Sequence, residues 1–227
     1  MKRIVFILLV FTINILAQEY TVEKVSGNVQ ALIGTSENWT KVVTGQKLNG
    51  SDLISTDEKS FVQLAGKENR FILQSNSALG LNSIKKMSLN ELLLALAMEE
   101  IRNVPKTKSN QFTRNTAVYG SEVTVSKTAS VTASSIGLKK INGAKQLAQN
   151  GFTESAILVA KETFRKYPET KRQISDRIYF ADLMIKLNLM NEAETELNQV
   201  SEQTLSGQDK KEVTARLEKI KEASLKR

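Results

Sequence analysis

Short apolar runs separated by turn residues fill residues 22–81, and this pattern constrains the fold more than any other feature of the chain. Runs rich in Val, Ile, Leu, Phe and Thr recur at spacings of about eight to twelve residues, which is typical of all-β domains. Each run is too short for a stable helix but long enough for a strand. The pairs that break the runs are Ser26-Gly27, Gly34-Thr35, Asn49-Gly50, Gly66-Lys67 and Ser75-Asn76. Residues 18–87 are therefore predicted to form a β-domain of the meander or sandwich type.

Strict alternation marks the start of this domain. Val25, Gly27, Val29 and Ala31 alternate with polar residues, as in a strand with one buried face. The alternation predicts a half-buried strand over these residues, within which Gly27 is also suited to a tight turn.

The spacing of several residues in the predicted β-domain is similar to that of a known family. The pattern joins a Gly-x-Val step, the single Trp of the chain, a Gly-x-x-Leu step and an Asp-x-Ile-x-Thr step, followed by a further hydrophobic strand. Its residues are Gly27, Val29, Trp39, Gly45, Leu48, Asp52, Ile54, Thr56, Ser60, Leu64 and Leu79. This pattern resembles the FecR-type domain found in exported bacterial proteins. The resemblance implies a β-structure that binds a component or relays a signal rather than catalysing a reaction.

Three residues of the β-domain are candidates for binding. Trp39 offers a large rigid surface with a polar group, suited to a sugar ring or a partner protein, but such a residue also fills a core or covers a sheet edge. Asp52 and Thr56 belong to the pattern that resembles the family. Their side chains are equally suited to fixing a turn by hydrogen bonds to the backbone.

The N-terminus is predicted to be a secretory signal peptide. Lys2 and Arg3 precede an apolar run that ends at Ala17, and Gln18 begins the polar sequence. The run is short for a membrane span, which takes about 20 residues. We therefore expect cleavage after Ala17 and a periplasmic or secreted protein with no integral span after cleavage; a retained N-terminal anchor is the alternative.

Residues 88–103 are predicted to form an amphipathic helix. Ser88 and Glu91 have the spacing of a capping box, and Pro105 follows the apolar run. The apolar residues cover more than one helical stripe, so the helix requires burial over a broad face. It is expected either to pack over the open end of the β-domain or to bind a groove or a second copy.

Residues 104–138 are predicted to be a linker rich in Ser and Thr. Phe112, Val118 and Tyr119 lie among polar residues there. The alternative to a linker is therefore that residues 112–136 include one or two strands that return to the sheet. An Ala-Val run followed by Gly120 is similar to a late strand of the FecR-type domain, with Ser121 in place of Thr.

Residues 139–227 are predicted to form an all-α domain of helical hairpins. Apolar spacing indicates helices over 143–150, 153–166, 173–187, 191–203 and 208–226. Two stretches resemble tetratricopeptide repeats. Their matching residues are Ala144, Leu147, Gly151, Ala156, Ala160, Phe164 and Pro168, then Phe180, Ala181, Met184, Ala193, Leu197 and Val200. The resemblance implies protein binding, with Phe180 and Met184 as candidate contacts, by docking on a partner, on the β-domain or on a second copy.

Composition argues against catalysis. The chain has no His and no Cys, which removes the commonest general base, metal ligand and thiol nucleophile. No catalytic, cofactor-binding or metal-ligating residue is predicted. The net charge of +8 includes no dense basic block, so no nucleic-acid partner is expected.

The sequence therefore predicts a non-enzymatic, exported protein that binds or scaffolds the cell envelope, through an envelope protein or a cell-wall polymer. Association of two copies is a further option. Two alternatives stay open. One is a periplasmic component of a FecR-type relay for iron uptake and a sigma factor. The other is a cell-wall enzyme that uses carboxylates and Lys.

Overall fold

The structure is a computed structural model that describes residues 18–67, 69–103 and 133–225. In these ranges a β region is followed by a helical region, and this predicted order is confirmed. The strands are β1 Glu19–Ser26, β2 Val29–Leu32, β3 Trp39–Lys41, β4 Lys47–Asn49, β5 Leu53–Thr56, β6 Phe61–Ala65, β7 Arg70–Leu73 and β8 Ser77–Gly80. The helices are α1 Leu89–Asn103, α2 Ala133–Gln149, α3 Thr153–Lys166, α4 Ile174–Lys186, α5 Met190–Ser201 and α6 Gly207–Leu225.

The strands form two antiparallel four-stranded sheets. One has the order β4-β1-β6-β7 and the other the order β3-β2-β5-β8. The chain passes repeatedly from one sheet to the other, and apolar side chains of both sheets share one core. Val22 and Leu64 contribute from the first sheet, and Val29 and Ile54 from the second.

Gly27 divides the first predicted strand into two. β1 ends at Ser26 and β2 begins at Val29, and the two strands belong to different sheets. Gly27 has a φ of 75°, and a Cβ there would lie 2.3 Å from the Oγ of Ser60. A side chain is therefore excluded both by the backbone conformation and by Ser60, the residue before β6. The expected turn at Ser26-Gly27 is confirmed, and the expected strand over residues 25–31 is wrong at Gly27, because the alternation persists through the turn.

The capping box of α1 is confirmed. The backbone N–H of Ser88 donates to Oε2 of Glu91 at 2.7 Å, and the N–H of Glu91 donates to Oγ of Ser88 at 3.3 Å. Leu92 and Leu96 are buried in a cluster with side chains of the other helices, and α1 contacts α3. The helix therefore packs on the helical region rather than over the open end of the sheets.

Helix α2 begins at Ala133, inside the range 104–138 predicted to be a linker. A Cβ at Gly137 would lie 2.8 Å from side-chain atoms of both Tyr167 and Thr170, so the early turns of α2 pack closely on the segment after α3. This contact is made by a glycine, which gives no apolar signal in the sequence. The linker prediction is wrong for residues 133–138, and the rest of that range, including the expected returning strands up to residue 132, lies outside the described residues.

Helix α2 seats the helical region on the β region. Gly143 packs on the carbonyl oxygen of Ala78 in β8, where a Cβ would stand only 2.2 Å away. Gln146 accepts a hydrogen bond from the N–H of Gln74 at 2.7 Å and donates one to Oγ of Ser77 at 2.6 Å. Because β8 is the last strand of its sheet, α2 lies against a strand edge that would otherwise be open to pairing. Of the docking options for the helices, the β region of the same chain is the one observed.

The helices pack as antiparallel neighbours. Helix α2 packs on α3, α4 packs on α5, and α6 contacts both α4 and α5. Small buried residues allow this close approach, namely Ala144, Ala156, Ala160, Ala181 and Ala193. Phe71 of β7 and Phe152 join the two regions in one core, with ring centroids 6.2 Å apart. No helix in the described part of the chain is long and apolar enough to cross a bilayer.

Candidate functional site

The predicted binding residues of the β region have different environments. Trp39 opens the edge strand β3, is half-buried and pairs in register with Leu32. Asp52 is 1% exposed, and its carboxylate accepts hydrogen bonds from the N–H groups of Gly34 and Asn49, both at 2.8 Å. These bonds hold two turns, as expected of a turn-fixing side chain.

Thr56 is also buried. Its hydroxyl donates to the carbonyl oxygens of Gln74 and Ser77 and accepts from the N–H of Ser77. Asp52 and Thr56 thus satisfy backbone groups inside the β region, and their side chains are not available to a ligand.

Phe180 and Met184 are core residues. Phe180 is 1% exposed and packs edge-on against Phe164 and Tyr179, and Met184 is fully buried in the helical cluster. Their assignment as contacts for a partner is corrected. The periodicity that suggested a partner-facing groove is the periodicity of the helices' own interfaces.

A cleft of about 670 Å³ opens where the β region meets the helices. Its wall is built from four segments: the start of β1, the turn between β6 and β7, the chain that leaves β8 and the turn between α2 and α3. The lining residues are Gln18, Glu19, Tyr20, Gly66, Lys67, Asn69, Arg70, Ile84, Lys85, Lys86, Asn150 and Phe152. The turn between α2 and α3 thus completes a cleft whose other three wall segments precede α1.

The charges of this cleft are predominantly positive. Within the described residues, no ion pair involves the exposed ammonium groups of Lys67, Lys85 and Lys86. Glu91 interacts with Lys85 only at longer range, because its carboxylate is held by Ser88.

The other charges of the cleft lining are paired. Arg70 lies 3.1 Å from Glu23, and Glu19 lies 3.2 Å from Lys47. Glu68 lies outside the described residues, and its one carboxylate can balance only one of the three lysines. The cleft is therefore suited to an anion.

Tyr20 closes the floor of the cleft. Its hydroxyl donates to the carbonyl oxygen of Ile84 at 2.9 Å and accepts from the side-chain amide of Gln18 at 2.5 Å. Burial raises the pKa of Tyr20 to about 12, and the hydrogen bond from Gln18 offsets only part of that effect. The hydroxyl is neutral and fully engaged near pH 7, so it does not act as a base.

A second group of charges is buried among the helices. Glu196 accepts hydrogen bonds from Nε of Arg177 at 2.5 Å and from Nζ of Lys161 at 2.7 Å, and Arg177 and Glu196 are 1% and 3% exposed. Burial acts to raise the pKa of Glu196, but the two cations outweigh it and hold that pKa below its usual value. These charges satisfy one another, and the adjoining cavity of about 80 Å³ leaves little space for a ligand. We assign this group to stability.

Helix α1 carries an exposed apolar stripe. Leu94, Met98 and Ile101 recur at helical spacing and are 66%, 51% and 73% exposed. Binding of α1 to a groove or to a second copy stays a prediction.

Metal chemistry finds no support in the described residues, which contain no group of three or more His, Cys, Asp or Glu side chains suited to a metal ion. Comparison with known proteins finds no matching family model, no similar curated protein and no similar solved structure.

None of the five residues singled out from the sequence lines the cleft. The signal that could have indicated it is local. Lys67 lies in a predicted turn, and Lys85 and Lys86 follow the last strand of the β-domain. The net charge of the chain does not show that these turns converge on one surface.

Proposed function

We propose that this protein is a non-catalytic, exported protein that binds a component of the bacterial cell envelope through the basic cleft. The observation that carries the proposal is the convergence of Lys67, Lys85 and Lys86 on one concave surface without a paired carboxylate among the described residues. Clefts lined by one sign of charge attract ligands of the opposite sign. Envelope polymers and many envelope proteins carry such charge.

Export rests on the sequence of residues 1–17, which has the features of a signal peptide. Removal of that segment would leave a periplasmic or secreted chain that begins at Gln18, in the wall of the cleft. The binding surface would thus face the compartment in which the envelope component is found.

The two family resemblances are compatible with this role. The FecR-like resemblance implies a β-structure, and the tetratricopeptide-like resemblance implies helical hairpins with small residues between the helices. The two sheets and the paired helices are compatible with these implications. In this proposal the β region supplies most of the cleft. The helices complete it and act as a scaffold.

Co-sedimentation with washed envelope fractions tests the proposal. Residues 18–227 are expected to sediment with an envelope fraction at low salt and to be released as salt is raised, because exposed charges are screened. The triple variant K67A/K85A/K86A is expected to stay in the supernatant.

The matched control is K210A/K211A/K221A, which removes the same charge from exposed positions on α6. Equal loss of binding in both triple variants would show that total charge, not the cleft, holds the protein. Sedimentation with neither envelope membranes nor sacculi would contradict the proposed function.

A further inference from the structure

The position of Gln18 links processing of the chain to the cleft. Its carbonyl oxygen accepts a hydrogen bond from the N–H of Gly50 at 2.7 Å, and its side-chain amide donates to Tyr20 and to the carbonyl oxygen of Ile84 at 3.0 Å. Three contacts therefore fix the residue that would become the first of the mature chain. Gln18 lines the cleft, so its backbone nitrogen lies no farther from the cleft wall than the length of one residue.

Cleavage after Ala17 would convert that nitrogen from a neutral amide into an α-ammonium group. Such a group has a pKa of about 7.7–8.0, so it is mostly charged at neutral pH. A fourth positive charge would then stand beside Lys67, Lys85 and Lys86. The uncleaved chain has no charge at this position.

The cationic groups of the cleft also limit the class of anion. The one guanidinium in the lining, that of Arg70, contacts Glu23 through both Nε and a terminal nitrogen. The remaining cations are ammonium groups, which bind phosphate oxygens as point charges and lack the planar fork that pairs with a carboxylate through two parallel hydrogen bonds. Several separate cations in a space of about 670 Å³ suit a chain with repeated charges better than a single small ion.

We infer that the cleft binds phosphodiester groups of an anionic envelope polymer, and that the α-ammonium group formed at Gln18 by removal of residues 1–17 is one of the cations that hold them. This inference rests on the proposed function and names its ligand class. A polymer strand can enter the concave space. A flat lipid surface cannot enter it.

Calorimetric titration with soluble poly(glycerol phosphate) tests the inference. The chain beginning at Gln18 is compared with the same chain acetylated at its α-amino group, which reacts selectively near neutral pH because lysine amines have a pKa of about 10.4. We expect acetylation to weaken binding by about fivefold or more. The variant K210A removes one positive charge from an exposed position on α6, outside the cleft, and is expected to bind within about twofold of the unmodified chain.

Two further ligands define the chemistry. Polygalacturonate carries carboxylates in place of phosphates, and vesicles of phosphatidylglycerol present phosphodiesters on a lipid surface. The inference predicts tighter binding of poly(glycerol phosphate) than of either.

Equal affinity for polygalacturonate, binding to the vesicles alone, or no effect of acetylation would each overturn the inference. If poly(glycerol phosphate) does not bind but envelope fractions still retain the protein through the three lysines, the ligand class is wrong and the proposed function stands. If envelope fractions do not retain the protein, the proposed function fails first.

Discussion

Gly143 of α2 packs directly on the carbonyl oxygen of Ala78 in β8, so closely that a Cβ at Gly143 would stand 2.2 Å from that oxygen. The contact joins backbone to backbone, and neither partner is the flexible end of a side chain. It sets the distance between the helices and the sheets, and therefore the shape of the cleft between them.

The variant G143A is expected to destabilise the protein by about 1–3 kcal/mol, because forced overpacking costs that much in a packed interior. Urea unfolding measures the change. G207A is the control, since a Cβ at Gly207 meets nothing within 4 Å, and it should change the unfolding free energy by less than about 0.5 kcal/mol. Similar values for the two variants would contradict the packing described for α2 on β8.

The sequence predicts the strands and helices of this fold better than the contacts between them. Alternating short runs and helical spacing report which side chains are buried, so the β region, the capping box of α1 and most helix positions follow from them. Gly27, Gly137 and Gly143 make their contacts through backbone, and such contacts leave no mark in a hydrophobic pattern. They decide the sheet change after β1, the start of α2 and the docking of the helices.

The same limit applies to the candidate site. Phe180 and Met184 carry a strong periodic signal because they are core residues. Lys67 and Lys85 lie in separate turns, and the turn between α2 and α3 completes the cleft that both line. A binding surface formed where separate turns converge produces no periodic pattern in the sequence.

Asp52 is expected to be essential for stability but not for binding. In D52A the N–H groups of Gly34 and Asn49 lose the buried carboxylate that accepts from them, and the expected cost of losing both hydrogen bonds is about 1–3 kcal/mol. D52N retains one acceptor oxygen and should fall between D52A and the unmodified protein. Chemical denaturation gives the ranking, and sedimentation of the folded fraction gives the binding. Loss of envelope binding by a folded D52N variant would assign Asp52 a direct role in the site.

Glu196 is expected to make the free energy of unfolding decrease as the pH falls into the acidic range. Its pKa is lowered in the folded state, so its contribution is present above the usual carboxyl pKa of about 4.5 and is lost as the pH falls through the folded value. E196Q should lose about 3–5 kcal/mol at pH 7, because the charge of Arg177 is left buried without its partner.

Unfolding free energies at pH 7 and pH 3 test this prediction. The loss on acidification should be smaller in E196Q than in the unmodified protein. E202Q removes an exposed carboxylate from the end of the same helix and should leave the loss unchanged. The ion-pair account is wrong if E196Q and E202Q have the same pH dependence.

Tyr20 is expected to make the free energy of unfolding decrease as the pH rises into the alkaline range. Its pKa is raised to about 12, so its contribution is complete below the ordinary tyrosine pKa of 10.0 and is lost as the pH rises through the folded value. Y20F should lose about 1 kcal/mol at pH 7, since the carbonyl of Ile84 keeps only the Gln18 amide as a donor and that amide loses the Tyr20 hydroxyl as an acceptor. Between pH 9 and pH 11.5 its stability should fall less than that of the unmodified protein. Y167F serves as the matched control. An equal loss of stability at alkaline pH in the unmodified protein, Y20F and Y167F would contradict the role given to the buried hydroxyl of Tyr20.

The most direct test of the central claim is photo-cross-linking in cells from within the cleft. A photoreactive amino acid replaces Asn150, an exposed residue of the cleft wall, or Gln208, an exposed residue of α6 outside it. The account predicts envelope adducts from position 150 that disappear in the K67A/K85A/K86A background, and none from position 208. Adducts from position 208 alone, or adducts from position 150 that persist without the three lysines, would contradict it.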